Sequence, residues 1–391
     1  MPDKNKMKDL GLLIQQMRQW RHQIHRHPEI AFTEYHTAEL VARTLRARGI
    51  EAHEGIADTG VVGVLRKGSS ERSLALRADM DALQVQELND FEHKSEIDGK
   101  MHACGHDGHT AMLLGAACYL ADKGVFDGTV YFIFQPAEEN EGGGRRMIDE
   151  GLFQRFPADA VYGLHNLPGL AVGHFSICAG PMMAGFATFE CVIQGQGGHS
   201  AMPHLAKNPI MIGNDILTGW TQVREAIQAD IPVNMEVTMF NAGEASNTIP
   251  ETATIGGSVR CFDDNTNDRI KAGMRAVVNA ISTRHGVSST FDYQVRYPVL
   301  VNNQEKTAYC ADVAADLVGQ HCVESDREPV MASEDFAYML QARPGAYILI
   351  GNGEGEAGGC MVHNPHYDFN DDILGLGANY FVGLVENSLQ L

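Results

Sequence analysis

The sequence predicts an α/β protein, a mostly parallel sheet with helices on both faces, into which a smaller domain is inserted. Strands and helices alternate through the first part of the chain and again near its end, and those strands are apolar on both faces. Near residue 186 the strands become half-exposed and follow the order strand, helix, strand, strand, helix, strand. We therefore assign residues 1–185 and 296–391 to the larger domain and residues 186–295 to a ferredoxin-like inserted domain.

The elements of the larger domain follow from the spacing of apolar residues and from the Gly and Pro residues that end each pattern. The first segment is predicted to contain helices over 8–26 and 33–49, strands over 59–65 and 73–76, a helix over 107–123, a strand over 129–134, a helix over 145–150 and a strand over 160–164. The second segment is predicted to contain a helix over 305–319, a strand over 346–351 and a helix over 372–389.

The inserted domain is predicted to be one four-stranded sheet with two helices. Its strands are expected over 186–194, 234–240, 252–261 and 288–297, and its helices over 208–229 and 267–285. About 110 residues is the length that such a module needs.

Composition restricts the class of partner. Thirty Lys and Arg against fifty Asp and Glu give a formal charge of −20, so neither nucleic acid nor an anionic membrane is expected as a partner. No run approaches the roughly 20 apolar residues of a membrane helix, and the polar start predicts no signal peptide. The eight cysteines are scattered along the chain, which favours free thiols and a cytoplasmic location.

The strongest local motif places one Cys and three His within eight residues, directly before a predicted helix. It reads His102-Ala103-Cys104-Gly105-His106-Asp107-Gly108-His109. Cys104 and His106 can reach one or two metal ions, and the helix N-terminus favours the thiolate. Zn²⁺, Co²⁺ or Mn²⁺ suits such mixed donors. Two alternatives stay open: a polar loop that caps the helix, and an enzyme that uses Cys104 as nucleophile with His106 or His109 as base.

Other polar residues of the larger domain follow predicted strands, at the edge where an open α/β sheet binds its ligand. Adjacent Glu138 and Glu139 could divide the work, one as metal ligand and the other as general base, although a solvated acidic loop is an equal alternative. The remaining candidates are His165 and His363 as ligands, Asp81 as a carboxylate that orients a ligating His, and Asp79, which we expect to be a turn or helix cap. Each of the two histidines, taken alone, is better explained as an ordinary histidine at a strand end, and only the donors at the other strand ends make them ligand candidates.

The inserted domain contributes candidates for contact with substrate. His199 follows a Gly-rich connection and is poorly explained by packing, so it could donate a hydrogen bond to a developing oxyanion. Asn247 and Arg260 could bind a substrate carboxylate, and a plain surface salt bridge is as good an interpretation of Arg260.

Motifs in order along nearly the whole chain resemble those of the metal-dependent aminoacylase/carboxypeptidase family. The similar branch is the amidohydrolases: hippurate hydrolases, N-acyl-amino-acid amidohydrolases and plant auxin-conjugate hydrolases. The matching segments are residues 21–29 (RHQIHRHPE), 77–83 (RADMDAL), 102–109 (HACGHDGH), 135–139 (QPAEE), 163–165 (GLH), 197–201 (GGHSA), 246–250 (SNTIP) and 363–365 (HNP).

The resemblance implies a site with two divalent metal ions, Zn, Mn, Co or Ni. Its ligands would be Cys104, His106, Glu139, His165 and His363. Glu138 would be the general base, and Asn247 and Arg260 match positions that hold the substrate carboxylate. His199 would reach into the partner's site across a homodimer, or a dimer of dimers, formed by the inserted lid domain. Many members have His-x-Asp where this chain has Asp79-Met80-Asp81, which leaves open whether Asp81 touches metal.

The function implied is hydrolysis of the amide bond of N-acyl amino acids, releasing a carboxylic acid and an amino acid. The alternatives are a dipeptidase or carboxypeptidase of the same family, and a non-catalytic protein that binds metal or an N-acyl amino acid.

Overall fold

The structure is a computed structural model that describes residues 10–139, 141–229, 231–355 and 358–391. The chain forms two compact units. The first extends to residue 182 and also includes 301–328 and 334–391, and the second comprises 183–300 and 329–333. Each unit is described by itself.

The described part of the first segment contains five helices and seven strands. They are α1 (Leu12–Arg26), α2 (Tyr35–Ala47), β1 (Glu51–Ile56), β2 (Gly60–Lys67), β3 (Ser73–Asp79), α3 (His106–Lys123), β4 (Gly128–Gln135), α4 (Gly143–Asp149), α5 (Leu152–Arg155), β5 (Val161–Pro168), β6 (Phe175–Ser176) and β7 (Gly180–Met183).

The remaining elements up to residue 300 form the second unit, and most of the later ones belong to the first. They are β8 (Gly185–Gln194), β9 (Gly198–His199), a 3₁₀ turn (Pro203–Leu205), α6 (Pro209–Gln228), β10 (Val233–Asn241), β11 (Thr248–Ile249), β12 (Thr252–Cys261), α7 (Asp264–His285), β13 (Ser288–Tyr297), β14 (Leu300–Asn302), α8 (Gln304–Val318), a 3₁₀ turn (Gln320–Cys322), β15 (Val323–Glu324), α9 (Ala337–Ala342), β16 (Gly345–Gly353), a 3₁₀ turn (Asp371–Ile373) and α10 (Leu374–Ser388).

The sheet of the first unit has eight strands in the order β1-β2-β4-β3-β5-β16-β6-β15. Its four central strands, β4, β3, β5 and β16, are parallel to one another, which confirms the mixed α/β class with a mostly parallel sheet. Strands β1, β2 and β6 pair antiparallel. Because β3, β4 and β5 are parallel, their carboxyl ends share one edge of the sheet.

Helix α3 is buried on every side from His106 to Leu120, as expected for a helix in the middle of a domain rather than at its surface. Small residues allow its neighbours to approach. A Cβ at Gly115 would lie 2.1 Å from Met17 Sδ of α1, and one at Gly108 would lie 2.3 Å from the ring of Phe369. The packed helix therefore fixes the position of its own N-terminus, where His106 lies.

The second unit has an antiparallel sheet in the order β10-β12-β8-β13. In chain order it reads strand, helix, strand, strand, helix, strand, the sequence of elements that the alternation predicted. Trp220 of α6 packs against Phe189 of β8 in its core. Within the described residues, no helix of either unit combines the length and apolar character required to cross a bilayer.

Candidate metal centre

The five side chains expected to bind metal lie together in the first unit. Cys104 Sγ is 3.3 Å from His165 Nε2, and His363 Nε2 is 3.2 Å from Glu139 Oε1. Donor atoms of Cys104, His106 and His165 lie within 4.8 Å of one another, and so do those of Cys104, Glu139 and His363. Cys104 therefore belongs to both groups and joins the five residues into one donor cluster.

Gly105 places Cys104 and His106 on either side of a tight turn into α3. Its φ is 96°, in the left-handed region that favours glycine. A Cβ at this position would lie 2.4 Å from Asn166 Oδ1 and 2.5 Å from the hydroxyl of Tyr367. Any other residue here would displace the chain between the two donors.

Hydrogen bonds orient the histidines of the cluster. His106 Nδ1 is 2.9 Å from the carbonyl oxygen of Asp81, and His165 Nδ1 is 2.7 Å from that of Asn166. A carbonyl only accepts, so each Nδ1 carries a proton and each Nε2 is the ring nitrogen that faces the cluster. Burial lowers the pKa of His165 well below its usual range, which keeps this imidazole neutral and able to bind metal.

His363 comes from a loop, ten residues after the end of β16. Its φ is 67°, which is uncommon for a residue with a side chain. Its backbone N–H donates to the carbonyl oxygen of Ala103 at 2.7 Å. This bond attaches the His363 loop to the residue before Cys104.

Asp81 positions the two glutamates. Its Oδ1 accepts the backbone N–H of Glu138 and its Oδ2 accepts that of Glu139, each at 3.0 Å. Its Oδ1 also lies 3.2 Å from His106 Nδ1. Since both carboxylate oxygens are occupied by donors, Asp81 orients residues of the cluster, the arrangement typical of a carboxylate beside a metal ligand.

The side chain of Glu138 faces a second acidic pair that sequence analysis missed. Its carboxylate oxygens lie within 4.8 Å of those of Glu334 and Asp335, and all three side chains are buried. Burial, followed by the charges of Glu334 and Glu139, raises the pKa of Glu138 well above its usual range. Glu334 and Asp335 follow no predicted strand, and only their adjacency in the sequence could have marked them.

Arg77 is the buried cation that pairs with this acidic pair. Its guanidinium donates to Glu334 Oε1 at 2.9 Å, to Asp335 Oδ1 at 3.2 Å and to Asp79 Oδ2 at 2.7 Å. One cation thus faces three carboxylates, with Glu138 beside them. Further positive charge would stabilise this part of the site.

Asp79 is more than a turn residue. It is fully buried. Its Oδ1 lies 2.6 Å from His109 Nδ1, and its Oδ2 lies 3.7 Å from His106 Nε2. Burial alone would raise its pKa, but His106, His109 and Arg77 hold the pKa of this carboxyl well below its usual range. Asp79 is therefore ionised beside the donor cluster.

Two atoms of the cluster fit a bound cation. Among the described residues, His106 Nε2 and Glu139 Oε1 are buried without a hydrogen-bond partner, and they lie 3.9 Å apart. Buried polar atoms are normally satisfied by hydrogen bonds, so an imidazole nitrogen and a carboxylate oxygen that lack them and face each other fit two ligands of one ion. Thiolate, imidazole and carboxylate are donors that Zn²⁺ and related ions accept.

The thiol of Cys104 does not have the environment of a free nucleophile. Burial, and then Glu139, Glu138 and Asp79, raise its pKa well above the usual range, whereas the sequence suggested a lowered pKa at a helix N-terminus. The neighbouring carboxylates reverse that expectation. His109 bonds to Asp79 and Asn166, so it is not placed as a base for Cys104.

The cluster does not include His199, Asn247 or Arg260, which belong to the second unit. His199 is exposed and pairs with Thr248 in a two-stranded ribbon, and Ser200 N–H donates to the carbonyl oxygen of Asn247 at 3.1 Å. The two sequence motifs that supplied His199 and Asn247 are thus neighbours.

Arg260 lies at the other end of the second unit's sheet. It pairs with Phe186 at the start of β8, whereas Thr252 pairs with Gln194 at the end that leads to His199. Eight residues of strand separate the two ends by about 26 Å. The guanidinium stacks on Phe186 and donates to Ser333 Oγ at 2.6 Å. Arg260 therefore lies at the end of the sheet opposite the connections that lead to His199 and from Asn247.

The sequence matches the model of peptidase family M20/M25/M40 over residues 75–387. The chain belongs to this family. It is 39% identical over 365 residues to the hippurate hydrolase of Campylobacter jejuni, covering 93% of this chain and 94% of that protein. It is 37% identical over 383 residues to thermostable carboxypeptidase 2 of Saccharolobus solfataricus, covering 96% and 95%.

A solved M20 structure has the same fold. The YXEP protein of Bacillus subtilis, described as a dinuclear metal binding peptidase from the M20 family, superposes with a TM-score of 0.82 at 30% identity, covering 97% of this chain and 99% of that one. The resemblance predicted from the motifs is confirmed, and so is the assignment of this M20 member as a hydrolase.

Proposed function

We propose that this protein hydrolyses the amide bond of N-acyl amino acids, with two divalent ions bound by Cys104, His106, Glu139, His165 and His363. The single observation that carries the proposal is the donor cluster beside Glu138, a buried carboxylate whose own backbone is held by Asp81. The similarity to a hippurate hydrolase, named for an N-acyl amino acid, supports the substrate class.

Bound ions would polarise the scissile carbonyl and make a coordinated water acidic enough to ionise near neutral pH. The protein's own residues do the rest. Glu138 accepts the proton of the attacking water and returns it to the leaving amine, which requires a carboxyl with a raised pKa such as Glu334 and Glu139 impose. His199 donates a hydrogen bond to the oxyanion.

A panel of substrates tests the proposal. We expect release of free amino acid from N-acetyl-, N-benzoyl- and indoleacetyl-amino acids, and slower turnover of dipeptides with a free amino terminus. The similarity to a carboxypeptidase favours the second candidate function, cleavage of peptides. Faster turnover of dipeptides would replace the first proposal by the second, and no turnover of either class would leave a binding protein.

We also propose that the second unit forms a homodimer, on its own or within a dimer of dimers. Strand β10 is an edge of its sheet and carries exposed apolar side chains, Val237, Met239 and Phe240 at 37%, 48% and 39%. Unpaired edges of this kind readily pair with another strand. The eight cysteines, all unpaired in the structure, suit the reducing cytoplasm that we propose as its location.

In a dimer, Asn247 and Arg260 could contribute to one site although they are separated within a chain. The partner subunit would supply the ribbon of His199 and Asn247, and Arg260 would come from the chain that holds the metal. Mixing two inactive variants tests this arrangement. We expect His199→Ala and Glu138→Gln homodimers to be inactive, and subunits exchanged between them to recover about a quarter of the wild-type activity, since half the dimers then contain one complete site. No recovery in dimers shown to be mixed would place His199 in its own subunit's site.

A further inference from the structure

The turn that presents Glu138 and Glu139 is held in an unfavourable backbone conformation. Ala137, directly before them, is buried and has φ of 56°. This left-handed region is costly for a residue with a Cβ and persists only where surrounding groups enforce it. In a continuing strand the two glutamates would point to opposite faces of the sheet. In this turn their carboxylate oxygens lie within 4.8 Å of each other and of a ring nitrogen of His106.

Three consecutive backbone N–H groups of this turn donate to only two buried carboxylates. Asp81 accepts those of Glu138 and Glu139. Glu34 accepts the third, with its Oε1 2.9 Å from Ala137 N. The carbonyl of Ala137 in turn accepts the N–H of Gly143 at 2.9 Å. Glu34 is thus the side chain that bonds directly to the strained residue.

The surroundings of Glu34 are unfavourable for a carboxylate, so stabilising the fold does not explain its presence. It is completely buried, and its carboxylate accepts the hydroxyl of Thr59, the N–H of Ala137 and its own backbone N–H, with no cation among the described residues paired to it. It occupies the N-cap position of α2, yet its side chain makes no capping bond to that helix. Burial raises the pKa of Glu34 to about 7, so the fold bears an unfavourable carboxylate here.

We propose that Glu34 is a positioning residue that locks Ala137 in its left-handed conformation and thereby aims Glu138 and Glu139 into the donor cluster. Its carboxylate restrains the first residue of the turn as Asp81 restrains the next two. The assignment rests on the proposed function for the identity of the metal site, but metal binding can be measured without any substrate.

The test compares Glu34→Ala, Glu34→Gln, Ala137→Gly and the double variant Glu34→Ala/Ala137→Gly. Metal-stripped proteins are titrated with Zn²⁺ and with Mn²⁺, and kcat, KM and the thermal midpoint are measured. Loss of a residue that orients metal ligands lowers metal affinity by about 10- to 100-fold, and this is the effect expected of Glu34→Ala, with a lower kcat and little change in KM. Glu34→Gln keeps an acceptor for Ala137 N–H and should stay close to wild type.

Glycine adopts φ of 56° without strain, so Glu34 should matter less once residue 137 is glycine. We expect the double variant to bind metal within about threefold of Ala137→Gly alone, the signature of coupled residues. Glu150→Ala is the matched control, because Glu150 accepts the N–H of Ala57, another left-handed alanine with φ of 52°, which belongs to the loop of Thr59 and not to the glutamate turn. It should leave metal affinity unchanged.

Two results would overturn the proposal. The first is a Glu34→Ala protein that is less heat-stable but binds metal and turns over substrate like wild type, which would make Glu34 structural only. The second is an equal loss in the Ala137→Gly background, which would separate Glu34 from the strained turn. If wild-type protein binds metal but cleaves no N-acyl amino acid, the proposed function fails while the metal titrations still decide the role of Glu34.

Discussion

Replacing Glu138 by Gln should lower kcat by at least about 100-fold while both metal ions stay bound, because a positioned general base contributes about 10²- to 10⁴-fold. Gln has the same shape but cannot accept the proton. The backbone bond from Glu138 N–H to Asp81 is untouched by the change, so the turn should remain in place. The measurements are kcat on an N-acyl amino acid and the metal content of the purified protein.

Glu138→Gln should also raise the midpoint temperature of thermal unfolding. Glu138 is buried within 4.8 Å of Glu334 and Asp335, and removing one of three neighbouring carboxylates relieves repulsion that the fold otherwise has to tolerate. A loss of activity together with a gain in stability would mark a residue retained for chemistry.

Glu141→Gln is the control for Glu138→Gln, because Glu141 is exposed and lies three residues further along the same connection. We expect wild-type activity and an unchanged midpoint. A Glu138→Gln protein that keeps more than a tenth of the wild-type kcat with its metal bound would remove Glu138 from the role of base. One that loses its metal would make Glu138 a ligand.

Most of the donor cluster was predictable from local rules, although His363 lies ten residues beyond β16 and the choice of Glu139 over Glu138 came from the family resemblance. Each candidate strand ends in polar residues, and parallel strands bring their carboxyl ends to one edge of a sheet. Cys104 and His106 also precede a helix that is clear from its pattern. The strand that carries His165 is longer than predicted, since β5 continues to Pro168, but His165 still reaches Cys104.

The residues that support the cluster were not predictable from spacing. Glu34 meets Ala137 across 103 positions of sequence, and nothing in the local sequence of Ala137 requires a left-handed backbone. Strand β1 was also missed, because only two of the six residues of its segment EAHEGI have aliphatic side chains and half of the segment is exposed. It is an edge strand whose hairpin turn uses the left-handed residues Ala57 and Asp58, without the Asn-Gly or Asp-Gly pair that usually marks such turns.

The position of Arg260 relative to Asn247 also could not be predicted from the sequence. Sequence placed Arg260 and Asn247 in one domain but could not show at which end of the sheet each would lie. The register of β12 against β8 places Arg260 at the end of the sheet away from the connection that carries Asn247, and this separation is the reason for the proposed two-subunit site.

Removing metal should abolish activity, and Cys104 should be one of the residues on which metal binding depends. Chelation should inactivate the wild-type protein, and Zn²⁺, Mn²⁺, Co²⁺ or Ni²⁺ should restore turnover, because the cluster's carboxylates and imidazoles do not supply a Lewis acid by themselves. Wild-type protein should also melt at a higher temperature with metal than without it, since a ligand that binds only the folded state stabilises that state.

Cys104→Ala should weaken metal binding by more than about 100-fold, because changing even a residue that only orients a metal ligand costs 10- to 100-fold. Its added thermal stability on metal addition should shrink accordingly. Cys118→Ala is the matched control, a buried thiol on α3 whose surroundings are the apolar core, and it should bind metal normally. If chelated wild-type protein still turns over substrate and is inactivated by alkylation of Cys104, the alternative in which this thiol is the nucleophile would be supported. The joint position of Cys104 in both donor groups predicts the opposite, that its sulfur would help to hold the metal ions.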